Sequence, residues 1–162
     1  MSRLKAEFAY LIAQWKSNFA SAMEYRAAFI SQIVGMFINN AVYFAFWVVF
    51  FDRFKEIRGW GMQDMFLLMS IVALGFGLGF TFFGNAMQLS RIIAQGQLDY
   101  YLALPRSVLL SVLASRMVNS ALGDMAYGVV TYLFTGRFSL AEILLWILSS
   151  CLAAVVFVMA FT

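Results

Sequence analysis

Long apolar runs free of charge, separated by short charged segments, set the pattern of this chain. The 25 residues from Ala27 to Phe51 hold no Asp, Glu, Lys or Arg. Wound as a helix they extend about 38 Å, enough to cross a hydrocarbon core of about 30 Å. Residues 52–64 then gather Asp52, Arg53, Lys55, Glu56, Arg58 and Asp64 around Gly59, Trp60 and Gly61, with Trp60 where an interfacial aromatic belongs. A second uncharged run covers 65–90. Arg91, Gln95, Gln97, Asp99 and Arg106 end it, with Gly96 as a break and Pro105 suited to the first turn of a new helix. The next stretch, 107–135, exceeds one crossing and contains Arg116, Asn119 and Asp124. The crossing is therefore set at 114–134, with Arg116 snorkelling at one interface and Asp124 near mid-membrane. Residues 140–162 form the last run, with Glu142 near its start. The pattern predicts four transmembrane helices, at 27–51, 65–90, 114–134 and 140–162.

Residues 1–26 follow a different rhythm. Leu4, Phe8, Leu11, Ile12, Trp15, Phe19 and Met23 recur at helical spacing, with Lys5, Glu7, Gln14, Lys16, Ser17 and Asn18 between them. That is an amphipathic helix of the kind that lies in the membrane interface. It is not a secretory signal, because no short apolar core precedes a small-residue cleavage site.

Composition agrees. Of 162 residues, 64% are apolar and 12% charged, against about 45–50% and about 25% in soluble domains. The class is an all-α membrane protein in a single domain, and a soluble enzyme is excluded. The net charge of +3 is spread at the edges of apolar runs rather than in a basic stripe, which argues against nucleic acid. With no His and one Cys, neither a disulfide nor a His/Cys metal or nucleophile site can be built. No Gly is followed by Lys, so there is no phosphate-binding loop. Arg3, Lys5, Lys16, Arg26, Arg91 and Arg106, with Arg116 if it snorkels, fall on one side, against Arg53, Lys55, Arg58 and Arg137 on the other. The excess predicts a cytoplasmic N-terminus and a cytoplasmic loop at 91–106.

Three groups of residues are candidates for function. Gly75, Gly77 and Gly79 lack the spacing of a dinucleotide fingerprint; Gly75 and Gly79, with Gly84 beyond, read as a helix-packing face. Asn39, Asn40, Asn85, Arg116, Asn119 and Asp124 are polar groups within apolar runs, each costly against lipid. They serve either interhelical hydrogen bonding or a substrate path, for which Asn39, Asn85 and Asp124 are the foremost candidates. The loop Arg91-Ile-Ile-Ala-Gln-Gly96-Gln-Leu98-Asp99-Tyr-Tyr-Leu102-Ala-Leu-Pro105 keeps an apolar side and adds Tyr100 and Tyr101. It reads as a short helix, packed on a partner protein or lying on lipid.

The segment Gly96-Gln-Leu98-Asp99-Tyr-Tyr-Leu102-Ala-Leu-Pro105 resembles the Gly-x-Leu-Asp-x2-Leu-x2-Pro loop of permease subunits of type-2 ATP-binding-cassette transporters. Glu24-Tyr25-Arg26 resembles the end of that family's interfacial elbow helix, and Gly59-Trp60 before Asp64 is a further match. The resemblance implies that 91–106 is a coupling helix seated on a separate ATP-binding subunit, with Gly96, Leu98, Asp99, Tyr101, Leu102 and Pro105 making the coupling. It implies a second permease subunit, ATP and Mg on the partner rather than on this chain, a plasma-membrane location and an amphiphilic substrate. Family members usually have six spans. Four are read here, and the last ends inside its apolar run, so the expectation is the first four of six. The rival reading is a membrane scaffold or regulator without transport that pairs with a full-length permease. An intramembrane enzyme lacks a nucleophile–base arrangement or paired carboxylates.

Overall fold

The computed structural model describes residues 3–162. Met1 and Ser2 of the expected N-terminal helix lie outside the described residues, as do the side chains of Arg3 and Leu4. Every regular element longer than an isolated bridge is helical among the described residues, as an all-α membrane protein requires. The elements are α1 (Arg3–Glu24), α2 (Arg26–Arg53), α3 (Met62–Phe82), α4 (Leu89–Ala94), α5 (Leu98–Leu102), α6 (Val108–Ala114), α7 (Ala121–Leu133) and α8 (Leu140–Phe161). A short 3-10 turn, Gly84–Gln88, joins α3 to α4.

Three of these helices are long and apolar enough to cross a membrane: α2, α3 and α8. The structure departs from the expected spans at two places. The run 65–90 is not one helix, because α3 stops at Phe82. The interval 114–134 straddles a second break, between Ala114 and Ala121. The 13 residues of α7 extend only about 20 Å. Apolar side chains run through Phe82 and Phe83, and Ser115, Arg116, Asn119 and Ser120 read as the polar edge of a span, so the pattern marks neither as a break.

α3 and α7 occupy the middle of the bundle, with α2 flanking α7 and α8 flanking α3. Without a hydrophobic gain from leaving lipid, such helices associate through close packing and hydrogen bonds. Glycines permit the approach. A β-carbon at Gly75 would lie 2.6 Å from Ala153 Cβ and 3.0 Å from Ser150 O of α8. Gly79 faces Val158 and Ala154 of the same helix. Gly77 meets Met125 and Ala121 of α7, and Gly128 of α7 meets Leu74 and Ser70 of α3.

The end of the bundle around Trp60 is tied by side chains. Ile57 and Trp60 pair across a two-residue turn in which Arg58 (φ 50) and Gly59 (φ 82) are both left-handed, the geometry of a tight hairpin. Asp64 accepts from the Gly61 backbone N–H at the start of α3 and pairs with Arg137 at 2.7 Å. Both partners are more than a third exposed, so the pair contributes about 0–1 kcal/mol. Trp146 stacks on Tyr132 (centroids 4.1 Å apart) and donates to Ser70 Oγ. Ser139 and Glu142 cap α8 reciprocally.

Gly128→Leu should force α3 and α7 apart, costing about 1–3 kcal/mol or more. The measurement is the thermal midpoint and monodispersity of the detergent-purified chain. Gly35→Ala, where an added methyl meets nothing within 4 Å, should leave both unchanged.

Candidate functional site

The two helix breaks lie against each other and satisfy each other's backbone. A continued α3 would carry Gly84 N–H to Phe80 O. Instead Gly84 N–H donates to Arg116 O (3.0 Å), and Phe80 O accepts from Val118 N–H (3.1 Å). A backbone group buried here without a partner would cost on the order of a few kcal/mol of desolvation, so each break needs the other. The approach is close: a β-carbon on Gly84 would stand 2.8 Å from Arg116 O and 2.9 Å from Val118 N.

Side chains from three further elements complete this junction. Asn85, buried in the 3-10 turn, donates to Val112 O (3.1 Å) and Ser115 Oγ (2.6 Å). From α1, Trp15 donates its indole N–H to Phe82 O and Asn18 its carboxamide to Ala114 O, each at 2.9 Å. From α5, the Tyr101 hydroxyl meets Ser115 Oγ at 2.9 Å. Ser115 gives its one hydroxyl proton to Val112 O (2.7 Å). Its oxygen therefore accepts from both Asn85 and Tyr101, filling both lone pairs. Arg116 reaches out to Gln88 Oε1 at 3.2 Å.

The 91–106 segment hangs from this junction as two short helices, α4 and α5, turned at Gly96 in the left-handed region (φ 69). Leu98 and Tyr101 point inward onto Leu89, Ile92 and Val112. Asp99, Tyr100 and Leu102 are exposed, as are Ile93, Gly96 and Pro105. The sequence-derived set thus divides in two: Leu98 and Tyr101 face the protein, whereas Asp99, Leu102 and the unselected Tyr100 face outward. Beyond Pro105 the chain is clasped to α1. Arg106 donates to Ala6 O (3.1 Å) with its guanidinium 4.7 Å from the Tyr10 ring centre, and Ser107 N–H points to Glu7.

The intramembrane polar residues do not converge. Asn85 belongs to the junction, whereas Asp124 lies on α7 and accepts from Asn40 Nδ2 at 2.6 Å. Asn39, selected from the sequence, is exposed and donates to Met36 Sδ within its own helix. The register of α2 explains the exchange. Ile33, Met36 and Phe37 meet Gly123 of α7, and Asn40 and Phe44 continue that face at helical spacing. Asn39 is turned about 100° away. The spacing Ile33, Phe37, Asn40, Phe44 was the signal that distinguishes the two. Beside Asp124 lies a cavity of about 490 Å³ between α2, α3 and α7. Gly75 and Gly79 face α8, whereas Gly84 faces the backbone at 116–118.

Among known proteins, residues 37–162 match a family model described as ABC-2 family transporter protein. No curated protein and no solved structure matches the chain.

The Tyr101–Ser115 hydrogen bond should give a coupling energy of about 0.5–1.5 kcal/mol in a double-mutant cycle of Tyr101→Phe and Ser115→Ala. The cycle is read from denaturant unfolding in detergent.

Proposed function

The chain belongs to the ABC-2 transporter family, and from that premise we propose that it is a permease subunit driven by a separate ATP-hydrolysing subunit. A membrane component of a transporter, rather than a catalytic chain, is what family membership itself establishes. The coupling, its residues and its direction are our reading.

The observation that carries it is the route from α5 to the junction. An exposed surface of Asp99, Tyr100 and Leu102 is the face we assign to the ATP-binding partner, with Ile93, Gly96 and Pro105 at its edges. Aromatic and aliphatic groups beside one charge have the makeup of an interface anchor. The opposite side of the same helical turn carries Leu98 and Tyr101, and Tyr101 is bonded to Ser115 between the two broken helices. A displacement of α5 therefore bears directly on the segment where α6 ends and α7 has not begun. Gly96 supplies the turn, and the Arg106–Tyr10 clasp fixes the exit of the loop to α1.

In this reading α1 lies in the cytoplasmic interface with Phe8, Phe19 and Met23, all exposed, turned to lipid. The hairpin around Trp60 and the turn at Arg137 face outward across the plasma membrane. α7, with α6 and the break before it, makes the remaining crossing besides α2, α3 and α8. A second permease subunit pairs with this one, and the cargo is an amphiphile.

Asp99→Arg combined with Tyr100→Ala should reduce co-purification of the ATP-binding subunit at least tenfold while the chain still inserts into membranes. Unchanged co-purification overturns the assignment. Tyr101→Phe should leave co-purification intact and lower ATP-driven transport, because it removes the link to Ser115 but not the outer surface.

A further inference from the structure

Asp124 is a buried carboxylate only half satisfied. It is 6% exposed; Oδ1 accepts from Asn40, and Oδ2 has no partner. Among the described residues the ion pair formed is Asp64–Arg137, so no Lys or Arg neutralises Asp124. A buried carboxyl group without a counter-charge is a costly arrangement in a membrane domain and marks a functional position by default.

The surroundings define what would complete it. The carboxylate lines the cavity of about 490 Å³ whose walls include Asn40, Trp47, Met69, Phe76 and Tyr127. Aromatic faces and a thioether attract an organic ammonium by cation–π and sulfur contacts. They offer nothing to a hard metal ion, which needs several oxygens; no cluster of three or more Asp, Glu, His or Cys occurs among the described residues. The cavity is also reachable from the side. α2 leans on α7 and touches α3 sparingly, with Phe44 stacked on Phe66 near one end. Leu68 and Val72, on the cavity wall, are exposed at 42% and 43%. The cavity is therefore only partly closed between α2 and α3.

We propose that this trough binds an amine-bearing amphiphile, its ammonium pairing with the Asp124 carboxyl group and its apolar part lying along the aromatic and methionine wall. The proposal names the cargo class for the permease reading above and rests on it. The carboxylate supplies the charge recognition, and Asn40 orients it through Oδ1.

The test is binding of dodecylammonium and of dodecanol to the whole chain in zwitterionic lipid nanodiscs, with empty discs as reference, by calorimetry and tryptophan fluorescence. Dodecylammonium should bind wild type at least tenfold more tightly than dodecanol. Asp124→Asn should bring it down to the alcohol's affinity, and Asp124→Glu should keep it within about threefold of wild type. Trp47→Phe should abolish most of the fluorescence change while calorimetric binding persists. Equal affinity of wild type for amine and alcohol overturns the proposal, since the trough then holds a neutral chain or a further helix; this needs no variant to fold. Amine affinity unchanged in a folded Asp124→Asn overturns it as well, because the amine then adsorbs elsewhere. These readings use no ATP-binding subunit. Failure of the co-purification experiment would thus sink the permease reading and leave the binding result standing, and failure here would leave co-purification standing.

Discussion

The close approach of α3 to two helices at once is the constraint on which the rest of the bundle depends. Along a helix, positions two apart point in nearly opposite directions and positions four apart return to within about 40°. Gly75 and Gly79 therefore open one side of α3 to α8, and Gly77 opens the other to α7, where Gly128 answers it. Backbone meets backbone on both sides, so dispersion and shape do the work that water does for a soluble core. α2 and α1 are then placed relative to these helices, and Phe19 of α1 meets Phe29 of α2 edge to face. α2 reaches α7 through Gly123 and Asn40, and α1 reaches the ends of α3 and α6 through Trp15 and Asn18.

From that centre, forces have two exits. At one end the Trp146–Tyr132 stack and the Asp64–Arg137 pair join α3, α7 and α8, making that end a clamp of rings and short polar links. At the other, the ties are hydrogen bonds to carbonyls whose own helices have stopped. A clamp of rings resists sliding, whereas a set of hydrogen bonds can be exchanged for others. The exchangeable end is also the end that carries α5, which suits the coupling role proposed for that helix.

The membrane class, the N-terminal helix, α2 and α8 were legible in the apolar pattern, because lipid forces side-chain polarity to follow depth. The short helix around Asp99 was legible through its apolar spacing. The two breaks were not: apolar side chains run through Phe82-Phe83-Gly84, and Ser115-Arg116 reads as the polar edge of a span rather than as a gap between helices. What ends α3 is a backbone partner contributed from 32 residues away, Arg116 O to Gly84 N–H, and no local signal carries that. The polar residues were legible as a set but not in their pairing. Choosing Asn40 over Asn39 required the register of α2 against Gly123, and the inward turn of Tyr101 required knowing that Ser115 lay unwound above it.

The crossed backbone bonds have a further consequence in hydrogen-bond count. Straightening α3 through Phe83 would return Gly84 N–H to Phe80 O and strand Arg116 O and Val118 N–H, unless the chain from Ala114 to Ala121 wound up at the same moment. Winding both conserves the total, because each interhelical bond is replaced by one within a helix. The two kinks are therefore a single degree of freedom: they exist together or vanish together, and neither helix can be bent or straightened independently of the other.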